Sequence, residues 1–364
     1  MPDLCKLAGA FALEPPIHNL RPYGEGIIND TFVLSSGSEP ARQAILQRVN
    51  GRVFTHPERI MHNLRVLQEH VKARQQMLPP GERRLRLPEI IPTREGQDWL
   101  LDEQGELWRA LSFIDGSRTL RKVDNPDQAR EAGWALGRFH LLTSDLDPGL
   151  LHQTLPGFHV TPSYLQRFDL AIRDLGVVPG NPDLARALTS VATRRHIAPV
   201  LDEARRTGQL PRRVTHGDPK LNNFLFDPAG AAALALIDLD TVQAGLVHYD
   251  LGDCLRSWCN QAGEEAPTPG FDLAICRALL AGYLGEARKF LEPGEYPFLY
   301  PAIRLLPLEL GLRFLTDHLE GDWYFKVRAR GQNLRRALTQ FQLVECIESV
   351  REDILRMLDD IAGG

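Results

Sequence analysis

The spacing of apolar and polar positions changes character along the chain. Residues 28–34 and 43–49 alternate or run apolar on either side of the turn-forming cluster Ser-Ser-Gly-Ser-Glu-Pro at 35–40, which predicts a β-hairpin. Thr55 then offers a cap and Pro57 a first-turn residue, and Ile60, Leu64, Leu67 and Val71 recur at helical spacing, so a helix with one inward face follows. A Pro-Pro-Gly break at 79–81 ends it, and 99–101 and 106–114 give two more strands around the turn at 102–105. From Pro126 onward the period is helical, over 129–142, 182–206, 271–290, 301–319 and 333–358. One island interrupts it: 222–226 and 233–239 read as a short hairpin around the turn Asp-Pro-Ala-Gly at 227–230. Strands first and helices afterwards predict an α+β protein, with a small antiparallel-sheet lobe at 1–113 and a larger, mainly helical lobe at 114–364.

Length supports the two lobes, since 364 residues exceed the size at which one core usually stops growing. With 43% hydrophobic and 24% charged residues the chain has ordinary globular composition. A net charge of -5, with both signs spread throughout, excludes a dedicated nucleic-acid surface. No apolar run approaches the roughly 20 residues of a spanning helix, and 1–9 lack the basic start and apolar core of a secretory signal. The expectation is a cytoplasmic protein without a membrane partner. Cys5, Cys254, Cys259, Cys276 and Cys346 show no metal-binding spacing and read as free thiols.

The chemistry is concentrated around the island. His-Gly-Asp-Pro-Lys-Leu-Asn-Asn at 216–223 reproduces the H-x-D-x-K-x-x-N spacing of a protein-kinase catalytic loop. Phosphoryl transfer needs a carboxylate to orient and accept the proton of the attacking hydroxyl, and metal ligands to neutralise the phosphates. Asp218 is placed for the first duty and Asn223 for binding Mg²⁺, with Lys220 supplying positive charge near the transferred group. Asp238 follows at the end of an apolar strand and adds a second hard oxygen ligand, in the position of the D-F-G aspartate. Asp240 reads either as another metal ligand or as a helix cap.

These motifs resemble those of the aminoglycoside phosphotransferase and choline kinase superfamily, H-G-D-x-x-x-x-N followed by I-D-x-D. Three further blocks, at 23–32, 46–50 and 311–325, resemble the branch that contains N-acetylhexosamine 1-kinase. The resemblance covers about residues 20–345 and implies a protein-kinase-like fold that clamps ATP between its lobes. It places Gly24, Gly26, Asn29, Asp30 and Thr31 in a hairpin over the phosphates, where glycine lets backbone N–H groups approach the anion. It also implies that Arg48 holds the α- and β-phosphates in place of a lysine, with Glu58 or Glu69 as its helical partner, the alternative being an exposed strand arginine. Phe113, Ile114 and Asp115 form the expected adenine-reading hinge, and Asp250 and Asp253 are expected to support the catalytic loop.

Acceptor choice falls to the helical lobe, where 313–325 is the candidate block. Arg313 and Asp317, four apart, read as an ion pair or as two groups for sugar hydroxyls. Trp323, Tyr324 and Phe325 read as core or as an aromatic wall, and the resemblance points Tyr324 at a substrate. It implies phosphorylation of the anomeric hydroxyl of an N-acetylhexosamine or related hexose. The alternatives are an amino-alcohol or aminoglycoside kinase, and a pseudokinase that binds nucleotide without turnover.

Overall fold

The computed structural model describes residues 3–24, 28–175, 181–263 and 265–363. After a short helix α1 (Leu4–Gly9) come β1 (Ile17–Pro22), β2 (Asp30–Ser36) and β3 (Arg42–Arg48), then helix α2 (Pro57–Gln76) and β4 (Ile90–Ile91), β5 (Leu100–Leu101) and β6 (Leu107–Ser112). The sheet is antiparallel in the order β1-β2-β3-β6-β4, with β5 also on β6. The predicted hairpin is present, with Asp30 opposite Arg48 and Ser36 opposite Arg42. The α2 cap differs: His56, not Thr55, is the N-cap and makes no side-chain cap bond, and Pro57 sets the first turn.

Strand alternation gives the sheet two faces. Ala44 and Leu46 pack on the α1 side with Phe11, Leu34 and Trp108, whereas Ile45 packs with the core that contains α2. That core does not stop where the lobes were expected to part. It runs from Ile60, Leu64, Leu67 and Val71 of α2 to Leu136, Phe139, Leu251 and Leu279 in the helical lobe.

The helical lobe contains β7 (Arg118–Thr119), α3 (Pro126–Leu142), α4 (Thr161–Asp174), α5 (Pro182–Arg194), α6 (Val200–Arg206), β8 (Arg213–Thr215), β9 (Phe224–Phe226), β10 (Ala233–Leu236), β11 (Gln243–Gly245), α7 (Val247–Cys259), α8 (Leu273–Ala287), α9 (Leu299–Glu320), α10 (Gln332–Ser349) and α11 (Arg351–Gly363). The predicted island is the β9–β10 hairpin. Residues of the first lobe reach it, for Arg86 N–H donates to Leu234 O at 2.9 Å. The five cysteines are free, with Cys254, Cys259 and Cys276 buried. Among the described residues no helix is long and apolar enough to cross a membrane.

Helices α3 and α8 touch through glycine. A Cβ on Gly133 would lie 2.0 Å from Leu279 O, and one on Gly282 would lie 2.0 Å from Arg130 O. Neither backbone oxygen can swing away, so the close approach requires glycine. It also brings His140 of α3 to the Tyr283 hydroxyl of α8 at 3.1 Å. Gly282→Ala is expected to lower the unfolding free energy by about 1–3 kcal/mol, the usual cost of overpacking. Urea denaturation of the variant beside the unmodified protein checks this, and an unchanged midpoint would refute it.

Candidate active site

The loop after β8 is held from behind by one carboxylate. Asp250 accepts the His216 N–H at 2.6 Å and the Gly217 N–H at 2.9 Å. His140 Nε2 meets the same carboxylate at 2.8 Å, so with Nε2 as donor its Nδ1 accepts from Tyr283. Burial opposes the Asp250 charge, yet the His140 bond and its other donors hold the carboxyl below its usual pKa. Gly217 lies at φ +86°, and a Cβ there would meet Thr241 O at 2.7 Å. His216 Nε2 faces Ile237 O at 3.1 Å while its Nδ1 accepts from Asp218 N–H at 3.3 Å. Burial pushes the His216 pKa down, which fits this neutral donor-and-acceptor arrangement.

The loop presents Asp218, whose carboxylate is ion-paired with the Lys220 ammonium. Asn223 Nδ2 donates to Asp218 O at 2.7 Å and to Asp218 Oδ2 at 3.3 Å, which turns the carboxamide oxygen to the other side. Desolvation raises the Asp218 pKa, Lys220 pulls against this, and Asp253 adds to it. Burial opposes the charge of Lys220, but Asp218 and Asp238 outweigh it and raise its pKa.

Asp238 adopts the left-handed conformation at φ 65°. Asp238 is exposed to solvent, yet the protein around it still desolvates the carboxylate. That desolvation, with the Asp240 and Asp218 carboxylates close by, pushes its pKa up to about 6. The crowded carboxylates are a place for a dication. Among the described residues no cluster of three or more His, Cys, Asp or Glu forms a metal cage. Asn223 and Asp238 would therefore hold Mg²⁺ by hard oxygens, leaving most of its shell to phosphate and water.

The sheet lobe departs from the expected roles. Gly24 has φ +79°, as a glycine turn requires, and Gly26 lies outside the described residues. Asn29 reaches across the cleft and donates from Nδ2 to Asp240 Oδ2 at 2.7 Å. Thr31 Oγ1 accepts from Gln47 Nε2 at 2.9 Å. Arg48 is not a cleft residue: it is 42% exposed and pairs with Asp30 and, at 3.8 Å, with Glu106. The cause is parity, since Arg48 shares the α1-side face of β3 with Leu46. Neither Glu58 nor Glu69 is its partner, and Asp30 is engaged by Arg48 rather than turned to a phosphate.

The buried cation belongs to β6. Arg109 is 2% exposed and meets Asp240 Oδ1 at 2.6 Å. Each Asp240 oxygen thus has a donor from the sheet lobe, and Asp240 does not act as a helix cap. At the hinge, Phe113 packs edge-on against Tyr23 at 5.8 Å. Ile114 is a buried core side chain whose carbonyl accepts from Ser117 at 2.5 Å, and the Asp115 carbonyl accepts from Arg86 at 3.2 Å.

In the helical lobe, Arg313 lies 5.2–5.9 Å from the ring centres of Phe158, Tyr164, Tyr324 and Phe325. Asp317 does not pair with it. The Asp317 carboxylate accepts Tyr324 N–H at 2.8 Å, Phe325 N–H at 3.0 Å and Asn333 Nδ2 at 2.9 Å. It fixes the loop beyond α9 and has no role open toward a substrate. The aromatic trio divides: Trp323 is 85% exposed, Tyr324 is half exposed, and Phe325 packs on Phe314 at 4.5 Å.

Glu309, one turn before Arg313, is taken by His159 at 2.8 Å and by Thr161 at 2.5 Å. His159 Nε2 lies 3.2 Å from Gly217 O, which connects this cluster to the loop at 216–223. Burial opposes a charged His159, but Glu309 raises its pKa. His140, His159 and Tyr164 carried no motif in the sequence. Arg109 had one signal, a charge inside the apolar run Leu-Trp-Arg-Ala-Leu at 107–111.

A family model described as "Phosphotransferase enzyme family" matches residues 19–290. The homoserine kinase of Pseudomonas aeruginosa (strain UCBPP-PA14) is 37% identical over 224 residues, 58% of this chain and 60% of that protein. The chain thus matches about three fifths of the length of that curated relative. An aminoglycoside phosphotransferase from Alicyclobacillus acidocaldarius superposes with a TM-score of 0.66 over 96% of both chains at 13% identity. A microcompartment-associated aminopropanol kinase gives 0.62 over 97% of this chain and 98% of its own at 16% identity. At those identities the likeness establishes the fold, an antiparallel-sheet lobe joined to a helical lobe as in protein kinases.

A raised carboxyl pKa costs the folded state stability once the group ionises, so the cost appears as pH rises from the unfolded value through about 6. Asp238→Asn removes it. Without metal at pH 7.5 the variant is expected to be more stable by about 1 kcal/mol, allowing for solvent screening. The gain should shrink toward pH 5. Thermal melts at the two pH values check this, and a variant less stable at pH 7.5 would contradict it.

Proposed function

The chain belongs to the phosphotransferase enzyme family, and we propose that it transfers the γ-phosphoryl group of ATP to a hydroxyl of a small acceptor bound beside Arg313. The first candidate acceptor is the anomeric hydroxyl of an N-acetylhexosamine or related hexose, which would place the enzyme in carbohydrate metabolism. The observation that carries the reaction is Asp218, presented beside Lys220 and Asn223 with Asp238 across the hairpin. In this reading Asp218 orients the acceptor hydroxyl and takes its proton as the new O–P bond forms and the bond to the β-phosphate bridge breaks, releasing ADP. Lys220 offsets negative charge at the transferred group. Asn223 and Asp238 hold Mg²⁺, which, when bound, neutralises charge on the phosphates.

For the acceptor, the deciding feature is a guanidinium enclosed by four aromatic rings while the nearby carboxylates of Asp317 and Glu309 are engaged elsewhere. The place where a cationic amino alcohol or aminoglycoside would find an aromatic box holds the protein's own cation, so such acceptors are disfavoured electrostatically. A sugar suits the site, since Arg313 and Tyr164 can serve hydroxyls and Tyr324 offers an apolar ring face. The blocks at 23–32, 46–50 and 311–325 support the same choice. A hydroxy amino acid such as homoserine is the second reading. Its carboxylate would pair with Arg313, and the homoserine kinase relative favours it.

Incubation with ATP, Mg²⁺ and a panel of hexoses, N-acetylhexosamines, homoserine, choline and aminoglycosides, followed by mass spectrometry, tests the proposal. A sugar 1-phosphate is the expected product. O-Phosphohomoserine would replace the sugar by the second reading, and phosphorylation of choline alone would overturn both. Asp218→Asn is expected to lower kcat by about 10²–10⁴-fold while nucleotide affinity stays close to that of the unmodified protein. Unchanged turnover would remove Asp218 from the role of base.

A further inference from the structure

The Asp240 carboxylate is held entirely by the opposite lobe. Oδ1 meets Arg109 Nη2 at 2.6 Å, and Oδ2 accepts from Asn29 Nδ2 at 2.7 Å. Both side chains of the ion pair are almost inaccessible, at 2% and 3%. Arg109 is steered from the neighbouring strand, where Gln47 Oε1 accepts from its Nε at 3.1 Å and its Nη2 at 2.8 Å. Gln47 Nε2 in turn donates to Thr31 Oγ1, and Asn29 Oδ1 accepts the Asn50 N–H at 3.0 Å. The two donors therefore come from β6 and the turn before β2, braced by β2 and β3, all in the lobe expected to cover the nucleotide.

On the other side, Asp240 sits two residues after Asp238 in the tight turn Leu239–Thr241. Thr241 Oγ1 donates to His216 O at 2.7 Å, so the same turn also touches the catalytic loop. A displacement of Asp240 would carry the expected metal carboxylate and the base loop with it. A buried ion pair contributes little net stability but is costly to break singly, which makes it suited to fixing a geometry.

We propose that Arg109 and Asn29 are positioning residues that latch the nucleotide-covering lobe to the metal loop through Asp240. Asp240 is then a structural acceptor, not a metal ligand. The latch sets the distance between Asn29, just before β2, and the Asp238 carboxylate, the two sides between which a triphosphate is to lie. This inference rests on the nucleotide-binding part of the function proposed above and is independent of the acceptor.

Titration with a fluorescent ATP analogue, with and without Mg²⁺, tests it without any acceptor. Failure of the unmodified protein to bind would count against the proposed function. Given binding, Asn29→Ala, Arg109→Met and Asp240→Asn are each expected to weaken it at least fivefold, with or without Mg²⁺. Because single removals from a buried pair can unfold the chain, the Arg109→Met/Asp240→Leu double variant supplies a folded control, verified by its melting curve. Its loss should be no larger than that of either single variant, since a shared interaction can be removed only once. Binding by the folded double variant within twofold of the unmodified protein would overturn the latch. So would an Asp240→Asn loss confined to Mg²⁺-containing titrations beside normal binding by Arg109→Met, because that pattern makes Asp240 a metal ligand.

Discussion

The catalytic loop has its shape because Asp250 is charged inside the protein. A carboxylate without water survives only where donors replace its solvation, and here His216 N–H, Gly217 N–H and His140 do so. Each of those donors depends on something further away. His140 is aligned by Tyr283, which requires the glycine contact between α3 and α8, and Gly217 can present its N–H only because no Cβ strikes Thr241. The bracket thus converts helix packing into the placement of Asp218. Asp253, the other carboxylate expected to support the loop, is instead tied to Arg256 at 2.7 Å and acts on Asp218 through charge.

The front of the loop obeys the opposite principle. Asp253 opposes charge on Asp218, Asp240 and Asp218 oppose it on Asp238, and Lys220 offsets only part of that repulsion. Such crowding lowers stability and raises carboxyl pKa values, a compromise in keeping with the cation site proposed here. One set of carboxylates is satisfied by the protein and holds the structure, as with Asp250, Asp240 and Asp317. At the front, Asp218 has its partners on the loop itself, Lys220 and Asn223, and Asp238 stays exposed to solvent. The division follows hydrogen bonding, not residue type.

What the sequence disclosed follows from the range of each interaction. The placement of the loop at 216–223 beside Asp238 was legible because it depends on spacings of a few residues and on one short hairpin. The sheet lobe and helical lobe were legible from periodicity. Arg48 was misplaced because neighbouring strand residues face opposite ways, so an error of one position exchanges the cleft for the surface. Asp240 and Arg109 are 131 residues apart and their partnership depends on how the lobes close, which no local pattern encodes. The lobe boundary was drawn from secondary structure alone, whereas α2 belongs to the same apolar core as α3 and α7.

Arg313 and Asp317 show why helical spacing identifies neighbours without assigning partners. Four residues apart on α9, they share a face, yet the helix ends at Gly321 with φ 103° and the returning chain brings two free N–H groups to Asp317. Backbone donors leave no side-chain entropy to lose, and two of them together with Asn333 compete well against a single ion pair. Asp317 therefore orders the segment that carries Tyr324 and Phe325 around Arg313. The result is a cation whose neighbouring carboxylates are already engaged and whose aromatic surroundings are held in place by one of them. Under the proposed function, acceptor selectivity would turn on what the guanidinium meets: hydroxyls or a carboxylate complete its hydrogen bonding, and an ammonium adds repulsion.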